Sequence, residues 1–305
     1  MFEEPASLRR FQPKFYRGGA TRFHLPLLYD LVAITKPRRI VTVGFGDGEA
    51  HLTFCQAVTE LEIAAKCVAV HRGGDEAEVD EDWIKGTDYG KEFYGDVTEF
   101  ICDPQHAEKR TVDGSVDLLL VNDRDRGSEI RSILSAWEKK LGPEAVVLLH
   151  GIAVERADSV REAWLEWAAG KRTIVFDAGI GLAIAWREDV QNSLAQKLGA
   201  ILGGENRSIA ASIYGLAADR IDAVYRAEDV TRQNGALNAR QIWLDSMFAD
   251  RMKAQEVMDE QARTVADIEV QLEGLRQDRA KAQLVMDAQA EQLQQWTARV
   301  HQLQS

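Results

Sequence analysis

Proline stops at Pro143, cysteine is scarce and positive charge is in deficit, and each shortage narrows what the chain is able to do. All six prolines lie at or before that position, which leaves the C-terminal half free to form long uninterrupted helix. The three cysteines, Cys55, Cys67 and Cys102, are odd in number and lack metal-ligand spacing. Cys55 and Cys67 sit in apolar segments and are expected to be buried, reduced thiols. Lys and Arg total 37 against 49 Asp and Glu, a formal net charge of −12. That balance disfavours nucleic acid and anionic membrane surfaces, whose phosphates need clustered cations. No window approaches the ~20 apolar residues of a membrane span. The first residues lack the basic-then-apolar pattern of a secretory leader, so cytoplasm is the expected location.

What is present is an alternation of short apolar runs and amphipathic stretches. Residues 1–24 read as irregular and partly basic. A helix is expected over 25–35, stopped before Pro37, and a buried strand over 39–43. A glycine-rich turn follows (Gly44, Phe45, Gly46, Asp47, Gly48), then a helix over 49–61 and a strand over 66–70. Residues 71–86, with the acidic run from Asp75 to Asp82, read as a solvated loop. A strand over 97–102, a helix over 104–110 and a strand over 116–121 come next. After them, a helix over 128–141 ends at Gly142-Pro143, and a strand over 145–149 follows. Asp158 or Ser159 caps a helix reaching Ala169. Segments 172–176 and 181–186 form a closing hairpin. Continuous apolar strands separated by helices imply a doubly wound, mostly parallel α/β sheet of about seven strands with one late antiparallel strand. Trp137, Trp164 and Trp167, at helical spacings, read as packing residues.

From Ala218 onward helix formers dominate. With Val265 as position a, the a and d sites are Val265, Ile268, Leu272, Leu275, Arg279, Ala282, Met286, Gln289, Leu293, Trp296, Val300 and Leu303. Ten of these twelve are apolar, and the register extends back through Met258, Met247 and Leu244. A 3.5-residue period selects a left-handed coiled coil. Sixty residues of helix span ~90 Å, too long to pack on a small domain, so self-association is expected. Arg279 and Gln289 are the irregular core sites, suited to fixing register or oligomer state. The pattern runs to the end of the sequence, as in part of a longer chain. The expected divisions are an N-terminal segment 1–24, an α/β domain 25–189, a helical linker 190–217 and a coiled coil 218–305.

A strand, a glycine turn and a helix in succession put backbone N–H groups at a strand's carboxyl end, the usual ligand crevice of such sheets. The turn lacks the Gly-Lys-Ser/Thr of a phosphate-binding loop. By itself the pattern fits several nucleotide and cofactor folds, or merely a tight turn.

Residues 24–32 (HLPLLYDLV), 37–44 (PRRIVTVG) and 54–58 (FCQAV) carry a family likeness that continues through 113–119, 137–141, 146–150 and the helix around Trp164. Over 24–187 the chain resembles class I S-adenosylmethionine-dependent methyltransferases. The branch it resembles most is the one found beside, or fused to, glycosyltransferases of bacterial surface-polysaccharide systems. The resemblance implies a Rossmann-like seven-stranded sheet and possible S-adenosylmethionine binding by Gly44, Phe45, Gly46, Asp47, Gly48, His71 and Asn122. It also implies a candidate general base in His150, which reads equally well as a structural histidine.

The family's acidic positions are altered. Thr42 stands two residues before the first glycine, where an acid is usual. His71 stands where an acid binds the ribose hydroxyls, and an imidazole accepts only one hydrogen bond; Asp75 is a conceivable substitute from the loop. Asn122 and Gly151 replace two carboxylates of a metal-holding pattern, so no metal is expected. Asp123, Asp125 and His150 offer only a relocated alternative. The favoured reading is a degenerate methyltransferase-like domain acting as an oligomeric binding or scaffold module in surface-glycan biosynthesis. Its partners would be itself, through the coiled coil, and glycosyltransferases or other glycan-assembly proteins. The alternative is an active, metal-independent methyltransferase acting on a sugar or similar acceptor.

Overall fold

The computed structural model describes residues 5–71, 81–122, 127–154, 159–187, 193–202, 204 and 206–304. The chain divides into two compact units, Met1–Glu228 and Asp229–Ser305.

The first unit is built on one seven-stranded sheet. Its strands are β1 (Arg39–Val43), β2 (Lys66–Val70), β3 (Thr98–Ile101), β4 (Val116–Val121), β5 (Leu141–His150), β6 (Lys171–Phe176) and β7 (Leu182–Arg187), in the order β3-β2-β1-β4-β5-β7-β6. The strands from β1 to β5 pair in parallel, and β7 runs antiparallel to both β5 and β6. This is the doubly wound, mostly parallel α/β sheet with a closing hairpin. The helices are α1 (Ala6–Arg10), α2 (Leu25–Thr35), α3 (Glu49–Glu60), α4 (Glu81–Tyr94), α5 (Pro104–Arg110), α6 (Gly127–Trp137), α7 (Val160–Trp167), α8 (Ser193–Leu202) and α9 (Asn206–Gln304). Among the described residues no helix is long and apolar enough to cross a membrane.

The apolar strands face both ways. Ile40, Cys67, Leu118, Leu120, Val146 and Leu148 join α2 and α3 in one buried cluster. Val41, Val68, Leu119, Val121, Val147 and Leu149 join Ile130, Leu134, Trp137 and Trp164 in the other. Each fully buried aliphatic side chain contributes about 1.5–3 kcal/mol by leaving water. That is why these runs are continuous rather than alternating. The N-terminal segment and the start of α9 close the first face. Asp30 accepts from the Ser7 backbone N–H and hydroxyl, and the Tyr16 and Tyr225 rings stack at 4.3 Å.

Several boundaries differ from expectation: residues 6–10 of the segment expected to be irregular form α1, and two further differences lie in the α/β domain. The helix expected over 128–141 ends at Trp137, and after a 3-10 turn (Glu138–Lys140) β5 already begins at Leu141. Leu141 pairs with Val116 and regular pairing resumes at Leu118 with Val146, so exposed Pro143 lies in a bulge where its missing N–H costs nothing. The loop expected over 71–86 gives way at Glu81 to α4. Acidic Glu81 and Asp82 occupy its first turn, where the helix dipole favours them, and Trp83, Gly86, Thr87 and Gly90 form its buried face. Asp75 and the rest of 72–80 lie outside the described residues.

In the second unit α9 carries the heptad stripe. Val265, Ile268, Leu272, Leu275, Met286, Leu293, Trp296 and Val300 are all exposed on the single chain.

Candidate functional site

The chain leaves β1 toward β2 and β3 on one side, then returns to β4 on the other. The carboxyl ends of β1 and β4 therefore flank the point where a crevice opens in a doubly wound sheet. The backbone turns there on Gly44, Gly46 and Gly48, with φ of 82°, 58° and 82°. These are left-handed conformations that a side chain would strain. Gly46 is exposed, and a Cβ on it would come 2.8 Å from Nδ2 of Asn122. Asn122, just past β4, donates its backbone N–H to the Val43 carbonyl at 2.8 Å.

Asn122 ties the turn to His150 at the end of β5. Its Nδ2 donates to the Phe45 carbonyl at 3.5 Å, and its Oδ1 lies 2.8 Å from Nδ1 of His150. With Oδ1 accepting, Nδ1 of His150 carries the proton, and Nε2 is the basic nitrogen. The His24 ring, from a 3-10 turn (Ala20–His24), meets the His150 ring edge-on at 5.6 Å. His24 is bonded to the Ala178 backbone, its Nε2 has no hydrogen-bond partner among the described residues, and burial lowers its pKa to about 4.

The other altered positions are also spoken for. The Thr42 hydroxyl lies 3.2 Å from Nδ1 of His51, whose Nε2 reaches Thr98 at 2.8 Å. His71 donates its backbone N–H to Ile101 at 2.8 Å, and its ring packs on Trp83 at 4.7 Å. Phe45 packs on the same Trp83 at 5.0 Å and lies so close to Gly86 that a Cβ there would meet its ring at 2.4 Å. Gly151 has φ of 92° and donates to the Gly181 carbonyl at 2.8 Å, so an aspartate there would be strained.

Asp47 points its carboxylate at the N-terminal segment. Its Oδ1 accepts from Thr21 and from the Glu49 N–H, both at 3.1 Å, while a Cβ on Gly19 would lie 1.9 Å from Oδ2. Glu49 accepts from the Arg17 N–H at 2.5 Å. Burial raises its pKa and the Asp47 charge raises it further, against the amides of Arg17, Gly19 and Gly18.

The structure thus brings Gly46, Asn122 and His150 together, packs Phe45 and His71 on the same Trp83, and directs Asp47 to the N-terminal segment. Sequence reasoning missed His24, Thr21 and Trp83 as neighbours of these residues. Among the described residues no group of three or more His, Cys, Asp or Glu is arranged to hold a metal. Asp123 and Asp125 lie outside the described residues.

No protein-family model matches the chain. It is 31% identical over 199 residues to the uncharacterized protein y4gI of Sinorhizobium fredii, a match covering 60% of this chain and 21% of that protein. The chain thus spans about a fifth of the length of this curated relative. Similar solved structures include a methyltransferase from Geobacter sulfurreducens, with 22% identity, 57% of this chain and 80% of that one covered, and a TM-score of 0.41. Another is the O-methyltransferase TomG from Streptomyces achromogenes, involved in tomaymycin synthesis and solved with S-adenosylmethionine. It has 16% identity, 57% and 82% coverage, and a TM-score of 0.42. A putative caffeoyl-CoA O-methyltransferase from Staphylococcus aureus has 16% identity, 58% and 86% coverage, and a TM-score of 0.42.

Proposed function

We propose that residues 25–189 form a degenerate methyltransferase-like domain in a self-associating binding or scaffold module, acting in the cytoplasm beside glycosyltransferases in bacterial surface-glycan assembly. Its coiled coil, expected from residue 218, lies in 229–305, because residues 218–228 with buried Ala218 and Ile221 pack within the first unit; residues 190–217 lead up to it. One observation carries the degenerate reading: all four altered positions are committed to contacts within the fold. Thr42 serves His51, His71 packs on Trp83, Asn122 holds His150, and Gly151 supplies a positive φ. Groups compensated in this way stabilise the fold without supplying the acidic side chains that the family's chemistry uses.

The glycine turn still fits S-adenosylmethionine, because exposed Gly46 leaves backbone room that any side chain would fill. Gly44, Phe45, Gly46 and Gly48 with Asn122 would line that site, Asp47 offering its backbone alone because its carboxylate serves Thr21, and His71 would accept one hydrogen bond from a ribose hydroxyl. The cofactor, when bound, supplies an activated methyl group. The Asn122–His150 pair favours a second reading, an active metal-independent methyltransferase. An oriented neutral imidazole is suited to take a hydroxyl proton, and transfer itself needs mainly in-line orientation.

Calorimetric titration with S-adenosylmethionine, paired with a radiolabelled methyl-transfer assay on sugar acceptors, tests the choice. The degenerate reading expects heat of binding that Gly46→Trp abolishes, and label transfer at background. Transfer that depends on His150 would overturn it in favour of the active enzyme.

A further inference from the structure

The second unit contains an internal repeat. Residues 250–262 read DRMKAQEVMDEQA and residues 278–290 read DRAKAQLVMDAQA, identical at ten of thirteen positions. The offset is 28 residues, four whole heptads, so both copies take the same register. In each, an aspartate at g precedes an arginine at a, with alanine at the next d: Asp250, Arg251 and Ala254, then Asp278, Arg279 and Ala282. The preceding d sites are Met247 and Leu275. Both segments lie within α9, and the apolar seam beside them is exposed on the single chain.

An arginine in an apolar seam is costly unless a carboxylate reaches it. Its own helix supplies none across the seam. The carboxylate of Asp278 lies 3.5 Å from Nζ of Lys281 on its own surface, both side chains being well exposed. In a parallel, in-register pair an a side chain enters a hole formed by the partner's preceding d and g residues and its a and d residues. The guanidinium of Arg279 then lies beside Asp278 of the second copy, with Ala282 leaving room for its stem. Arg251 finds Asp250 and Ala254 in the same way. An antiparallel pair sets a against d and g against g, so neither arginine gains the aspartate.

We infer that the second unit pairs with a second copy of this chain in parallel and in register, through two g-to-a Asp–Arg layers four heptads apart. This rests on the self-association proposed above, and its test separates the two. Leu275→Cys in the 305-residue chain carrying Cys102→Ser places the new thiols face to face only in the parallel, in-register pair. A 28-residue stagger would part them by ~42 Å. Near-complete oxidation to a disulfide-linked dimer is expected, alongside a sedimentation mass of at least two chains. Asp278→Arg should weaken association at least tenfold, and combining it with Arg279→Asp should restore it. An oligomer that fails to cross-link, or one the charge swap does not rescue, overturns the orientation and register while leaving self-association intact. A monomer at all concentrations overturns both.

Discussion

The first unit hides its apolar side chains, whereas the second displays them. Trp164, Phe54 and Leu118 are buried to 2% exposure or less, whereas Leu272, Leu275 and Trp296 are 48%, 66% and 71% exposed. A sheet with helices on both faces makes its own core. A lone helix has no opposing face, and helical propensity alone supports it only marginally. Stability is therefore internal in the first unit, and under the proposed self-association it depends on concentration in the second.

Four changes break or sharpen that contrast. Trp164→Ala, which removes the largest fully buried side chain, should cost about 3–5 kcal/mol in urea unfolding of the first unit, independent of protein concentration. Leu272→Lys should weaken self-association about 100-fold, read by sedimentation equilibrium, and leave the first unit's unfolding midpoint where it was. His24 titrates in the first unit alone. Its folded pKa of about 4 lies below the ordinary 6.5, so the unfolded chain binds more protons between those values. Stability is full above pH 6.5 and falls toward pH 4 by about 3 kcal/mol, a slope that His24→Asn should remove. The smallest effect belongs to Ser159→Ala. The hydroxyl caps α7 by accepting the Glu162 N–H at 3.1 Å, and its loss should cost about 1 kcal/mol in the same unfolding assay.

Glu49 gives a slope of opposite sign. Its folded pKa is raised above the ordinary value near 4.5, so its stabilising contribution is present below that value and lost as pH rises through the folded one. Stability curves of the wild type and Glu49→Gln should diverge as pH increases, and parallel curves would contradict the burial argument.

What the sequence made legible was local. β1, β2 and β4 match their expected bounds because apolar runs between punctuating residues define buried strands. α2 ends where Lys36 takes φ of 45° just before Pro37. The glycine turn was visible because its three glycines stand two apart. What stayed hidden depends on distant partners. β5 starts early because Leu141 finds Val116 across a bulge. α4 tolerates Gly86 because Phe45, 41 positions earlier, needs the space. His24 drew no notice as a site residue because its tie to His150 spans 126 positions and has no periodic signature.

The repeated segment of α9 has one more consequence. Because its period is a whole number of heptads, the two copies recur on the same stripe, separated by a length of about 42 Å. Losing or gaining one such length would change the reach of the rod in a single step without rotating its apolar seam. A change of 27 or 29 residues would instead turn the seam by about 100° and abolish the match.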